Sequence, residues 1–361
     1  MANQPASTGE ASLTVNNEIH GGWTDISVTR SMEQLAHTFD LGFTERWSED
    51  SKPIPIHAGD RCTVKLDNKV VITGYVDEDP IDYDANEHKL RVTGRSLTAD
   101  LIDCSAIYQK GQWKKQDLQA IAENLCQPFD IPVNIETDIG DSFRYFSLHD
   151  GESVYEALER ACRMRGVLMM TNADGELVFA NIGARTSSTV IEYGVNVIRG
   201  ARTGGFSERF SKYIVKAQTV GDDDTNGTSA STPSITVTDS AISRYRPLIV
   251  QSECLSAGAG LQKRATWERN VRAGRSRRLQ YTLDGWNDDA GNLWEPNTLV
   301  AVKDPRLEVD ATLLITSVRL TRDADGTNTT LELCDPKAMT VEPLVIHQKA
   351  AKTSPFFTGD A

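Results

Sequence analysis

No stretch of this 361-residue chain approaches the roughly 20 consecutive apolar residues that a membrane-spanning helix requires. The opening stretch, MANQPASTGEASLTVNNEIH, is polar and has no apolar core, so no secretory leader is expected. Cations are in deficit: 38 Lys and Arg face 51 Asp and Glu, a formal charge of −13 with a pI near 5.0. That balance argues against general affinity for nucleic acid, which needs clustered Lys and Arg, and it favours solubility in a concentrated assembly. Cysteine is sparse. The six, Cys62, Cys104, Cys126, Cys162, Cys254 and Cys334, lie far apart and none forms a CxxC pair. Their surroundings, as in ENLCQPF and ERACRMRG, read as those of buried free thiols in a protein made in a reducing compartment.

The usual announcements of catalysis are also missing: there is no GxSxG, HExxH, GxxxxGK[ST] or GxGxxG. The six histidines, His20, His37, His57, His88, His149 and His347, never fall within four residues of one another. No catalytic, cofactor-binding or metal-ligating residue is therefore expected. Three acidic clusters, Asp77-Glu78-Asp79, Asp222-Asp223-Asp224 and Asp288-Asp289, leave calcium or acid–base chemistry open. Each sits in an expected turn, where Asp is favoured for backbone reasons, and the solvated-turn reading is preferred. The DADG run from Asp323 does not fit a calcium loop, since it places Gly326 fourth rather than sixth.

What is present is ordinary for a globular protein: 39% hydrophobic and 25% charged residues. At roughly 150 residues per domain, the length allows about two or three domains. The first hundred residues are a run of short alternating segments, such as HTFDLGFTE, which puts Phe39, Leu41 and Phe43 on one face. Asp67-Asn68 predicts a hairpin turn between two of them. Short strands with polar turns point to a barrel or sandwich. Helical spacing then appears at Leu118, Ile121, Ala122 and Leu125. A second helix follows, capped by Asp150 or Ser153, with Val154, Leu158, Ala161 and Cys162 inward and Gly166 as its stop. A hairpin through Asp174-Gly175 completes a small α+β block. From about 183 the β texture returns, interrupted by a polar loop at 221–233 and a helical stretch, GAGLQKRATWERNVRAG. The expected fold is mainly β with an α+β insert. Its regions are 1–105, 106–182 and 183–345, followed by a tail at 346–361 in which Phe356 and Phe357 mark a docking segment. The two β regions are of similar size, which hints at a duplication that the letters do not show.

Two features stand out as interaction candidates. Between Lys263 and Arg278 lie Lys263, Arg264, Arg269, Arg272, Arg275, Arg277 and Arg278 against only Glu268. The preferred reading is contact with acidic surface, in this chain or on a partner, because Arg suits bidentate carboxylate pairing. A solvated face, or nucleic acid with Trp267 as a stacking ring, are the alternatives. Trp286 and Trp294 flank the polar turn of GWNDDAGNLWEPN; they suit a sugar platform, a plug at a barrel end or an interface anchor.

VTGRSLTADLIDCSA at 92–106, GW…LWEPN…V.V.D at 285–304 and the final LELCDPKAM at 331–339 come in an order that resembles the Mu type of phage tail baseplate hub proteins. The resemblance spans roughly 12–340. It implies two related β-barrel domains, at 1–105 and 183–345, around the small α+β domain at 106–182. It implies a non-enzymatic homotrimer in a contractile-tail virion, assembled in the host cytoplasm. Such a ring contacts the tail spike, the tail tube and other baseplate proteins, and DNA passes through it without specific binding. No small-molecule substrate and no cofactor are implied. The 221–233 loop departs from the family pattern. The rivals from other classes are a tail-associated peptidoglycan hydrolase and a carbohydrate-binding module built on Trp286 and Trp294.

Overall fold

The computed structural model describes residues 9–45, 56–83, 88–217, 234–252 and 259–341. The 221–233 loop, the Asp222–Asp224 cluster, Cys254 and the tail with Phe356 and Phe357 lie outside them. The chain divides into two compact units, one formed by Met1–Arg209 with Asn270–Val341, the other by Phe210–Arg269 with Glu342–Ala361.

The first unit is built on one large sheet. Its order is Val197–Gly204, Arg277–Asp284, Gly326–Cys334, Val309–Asp323, Asp25–Ser31, Thr38–Glu45, His88–Ser96, Lys69–Glu78, Arg61–Leu66, Ala11–Val15 and Glu18–His20. Arg185–Glu192 joins through Thr298–Asp304, and Ile81–Tyr83 pairs with His88–Ser96. Among the described residues this path does not close on itself. Both β regions therefore share one sheet, fused where Ser317–Arg322 runs antiparallel to Ile26–Ser31.

The alternation read from the sequence is what buries this sheet. Phe39 and Leu41 are buried, with Phe43 packed against the same core. Asp67 and Asn68 both take positive φ, the backbone that a tight two-residue hairpin requires. Two glycines answer to close approach. A Cβ on Gly74 would lie 1.8 Å from the Arg95 carbonyl oxygen, and one on Gly94 would lie 2.1 Å from that of Tyr75.

The six principal strands of each β region share one plan. Numbered along the chain, they are Ala11–Val15, Asp25–Ser31, Thr38–Glu45, Arg61–Leu66, Lys69–Glu78 and His88–Ser96 in the first region. In the second they are Arg185–Glu192, Val197–Gly204, Arg277–Asp284, Thr298–Asp304, Val309–Asp323 and Gly326–Cys334. Both sets pair in the order 1-4-5-6-3-2. The 1-4 pair differs: antiparallel in the first region, parallel in the second.

Between the two regions lie α1 (Ala99–Asp103), α2 (Leu118–Cys126) and α3 (Val154–Arg165). Leu118, Ile121, Ala122 and Leu125 of α2 meet Val154, Leu158, Ala161 and Cys162 of α3 in one core. Ser153, not Asp150, caps α3: its hydroxyl accepts from Glu156 N while the Glu156 carboxylate accepts from Ser153 N. Gly166 ends the helix at φ 71°. Val133–Ile135 runs parallel to Leu177–Ala180, which returns antiparallel from Leu168–Thr171.

The second unit has its own three-stranded sheet, with Lys212–Ala217 between Ser234–Thr238 and Pro247–Ser252. Val215 and Val237 pack there with Leu261 and Ala265. The last two belong to α4 (Ala259–Arg275), whose first part lies in this unit.

Candidate interaction surface

The acidic clusters act locally. Asp77 receives Arg95 Nε at 2.7 Å, and the same guanidinium reaches Asp103 at 2.7 Å, holding that carboxyl below its ordinary range. Asp288 Oδ1 accepts the backbone N–H groups of Ala290 and Asn292, at 3.0 and 2.9 Å, which is the turn role Asp is chosen for.

The tryptophans require a correction. Trp286 is 0% exposed and Trp294 3%, both inside the main core. Trp286 Nε1 donates to the Thr321 carbonyl at 3.0 Å. Neither ring offers a face to a sugar or to a partner; the aromatic bulk fills the interior instead. Spacing around a polar turn cannot separate these outcomes, because both ends of a turn enter the sheet.

The basic segment divides between the two units. In the second, Arg264 pairs with Glu268 at 3.0 Å and lies 4.9 Å from the Trp267 ring centroid, while Lys263 is exposed. Arg269 there is half-buried. In the first, Arg272 meets Glu208 at 3.1 Å, and Arg277 donates to the carbonyls of Leu307 and Glu308 at 2.9 and 2.8 Å. Arg278 forms a two-pronged pair with Glu33. Acceptors within the chain thus take several of these cations, and Arg275 and Arg277 remain exposed.

A chain of charges leading out from the buried Arg30 ties the three regions of the first unit together. Arg30 is 4% exposed and reaches Glu295 at 3.5 Å; Glu295 also pairs with Arg185, and Arg185 lies 3.6 Å from Glu136 of the insert. Burial depresses the Arg30 pKa, and Glu295 opposes that loss. Burial, then Arg30, pushes His37 well below the usual range, so its imidazole is neutral. Sequence reading missed this site, since nothing in its spacing marks residues that meet across three regions.

It also missed a set of exposed apolar residues on, or just beyond, strand edges. Ile81 is 59% exposed, Ile198 60% and Phe206 54%. Exposed edges and charged surface are thus the features of the described residues that can meet another molecule. Burial pushes the thiols of Cys62, Cys126 and Cys334 up to about 12, while Cys104 is only half-buried.

The described residues thus present one strand plan used twice around an α+β insert, with exposed strand edges and charged surface, and the class of protein that shares this arrangement is that of phage tail structural proteins. Residues 98–181 match the family model of baseplate hub protein gp44-like, second domain. Residues 10–96 match Mu phage baseplate assembly protein GpP-like, N-terminal, and 257–342 match the fourth domain of GpP. The chain is 37% identical over 330 residues to the baseplate hub protein gp44 of Escherichia phage Mu, covering 89% of this chain and 86% of that relative. It superposes on the 43 kDa tail protein of prophage MuSo2 from Shewanella oneidensis with a TM-score of 0.84 at 35% identity, covering 92% and 99% of the two chains. A type VI secretion component of E. coli shares the fold, with a TM-score of 0.52 at 11% identity over 89% of this chain and 76% of that one. The chain belongs to the Mu-type baseplate hub family. It is a structural component of the phage tail and not an enzyme, as its relatives are.

Proposed function

We propose that three copies form a ring that joins the central spike to the tail tube and lets the genome pass. The observation that supports this most is the repeated strand order within one chain. Two like β regions per copy give six around three copies, so a threefold spike and a sixfold tube find matching surfaces on one ring. On this reading each region completes its barrel in the assembled ring. Arg264, Arg269, Arg272, Arg275 and Arg277 serve contacts with neighbouring copies or baseplate partners. Assembly takes place in the host cytoplasm, consistent with thiols held buried and reduced.

Light scattering on the purified protein tests the ring directly. The expected mass is three times 39.7 kDa. A monomer at micromolar concentration would sink the proposal.

A further inference from the structure

The internal repeat predicts which edges meet between copies. In the first region the second strand, Asp25–Ser31, has Thr38–Glu45 on one side and Ser317–Arg322 of the second region on the other. Its counterpart in the second region, Val197–Gly204, has Arg277–Asp284 on one side and, among the described residues, no strand on the other.

The register can be carried across. Both fifth strands bear their irregularity at the same place against the sixth, between Val76 and Glu78 and between Ile315 and Ser317. That places Glu78 on Ser317, Pro80 on Arg319 and Ile81 on Leu320; the later pair Ile81↔Leu90 agrees with Leu320↔Thr329. Pairing with the third strand likewise sets Thr203 on Thr29 and, two residues along the chain from Gly204, Phe206 on Met32.

Exposure differs between the equivalent positions. Ile26, Val28, Arg30 and Met32 are buried, whereas Gly200, Arg202, Gly204 and Phe206 are exposed. Leu320 is 0% exposed, and Ile81 is 59%. Each region thus has one half of the contact covered within the chain, and the other half uncovered.

We propose that Val197–Gly205 of one copy adds antiparallel to Glu78–Tyr83 of the next, repeating between copies the junction that Ile26–Ser31 and Ser317–Arg322 make within one. This rests on the trimeric reading and names its contact. The new edge pairs Thr203 with Pro80 and Arg202 with Ile81, and it brings Arg202 diagonally beside Asp79. Charge agrees: Arg199 and Arg202 lie on one edge, the latter already paired with Glu308 at 3.1 Å within its own chain, and Glu78, Asp79 and Asp82 lie on the other. Pro80 is no obstacle. Its carbonyl already accepts from Arg91 N at 3.2 Å, so the side lacking an N–H faces the strand it pairs with, not the open edge. Because the contact is heterologous, it must close after a whole number of copies or grow without end; three copies close it.

Cysteine cross-linking of the full chain tests the register. Thr203 and Pro80 fall at a close, non-hydrogen-bonded position, where Cα atoms lie roughly 4.5 Å apart and a disulfide fits. Thr203→Cys with Pro80→Cys, under copper–phenanthroline, should convert the 39.7 kDa band on a non-reducing gel into one of three times that mass. Thr203→Cys with Asp79→Cys should not, because a one-residue slip puts the two side chains on opposite faces. Phe206→Glu, at a position open to solvent in the single chain, should move the scattering mass towards monomer with the circular dichroism spectrum unchanged. A trimeric wild type whose Thr203/Pro80 variant stays uncross-linked, or whose Phe206→Glu variant stays fully trimeric, overturns this contact and leaves the ring standing. A monomeric wild type overturns both.

Discussion

Trp286 shows how one residue type serves opposite ends. Its indole is fully buried and its one donor is satisfied by Thr321 O, so its value lies in area removed from water. Trp286→Ala should therefore cost about 3–5 kcal/mol of stability, as large-to-small core changes of aromatics do. Thermal unfolding of the variant checks this. A variant that melts like the parent, or that instead loses binding to a glycan array, would restore the sugar-platform reading. The same logic separates the arginines. Arg278 is fixed by Glu33 and Arg30 by Glu295, whereas Arg275 stands in solvent, free to meet another molecule.

At the scale of elements, the strand pairing at Gly94 shows how one strand plan can recur without a repeat in the letters. Phe39 stands opposite Gly94 in the first region, and Leu279 opposite Leu333 in the second. One region sets an aromatic ring over a glycine and the other sets two leucines side by side, so equivalent positions keep the apolar contact while sharing no residue. A Cβ at Gly94 would meet the Phe39 ring at 2.5 Å and the Tyr75 carbonyl at 2.1 Å. Gly94→Ala should destabilise by at least the roughly 1–3 kcal/mol of core overpacking. Adding Phe39→Leu should recover part of the loss; a double variant no better than the single would show that the backbone clash alone decides. Local signals were legible where chemistry is local: the Asp67-Asn68 turn, the inward stripes of α2 and α3, the stop at Gly166. Partnering across distant segments was not. Neither the fusion of both β regions into one sheet nor the separate unit around Lys212–Ala217 follows from any periodicity, because alternation states which face is buried and is silent on which strand lies alongside.

At the scale of the whole assembly, charge constrains what the proposed ring can do. Three copies sum to −39 (3 × −13). A passage for a polyanion works only if phosphates find few cations, since each Lys or Arg contact binds strongly at low salt and releases counterions. The basic residues near α4 are already engaged in part, Arg264 by Glu268, Arg272 by Glu208 and Arg277 by two carbonyls, which leaves carboxylates in excess elsewhere. The trimer should therefore give no retardation of duplex DNA at about 50 mM salt, the condition most favourable to phosphate contacts. In a structure of the ring, carboxylates should outnumber cations on the inner wall. Tight binding at low salt, falling steeply as salt rises, would mean that cations line the passage. The hub assignment would survive that result, but the account of how DNA slips through would have to rest on something other than repulsion.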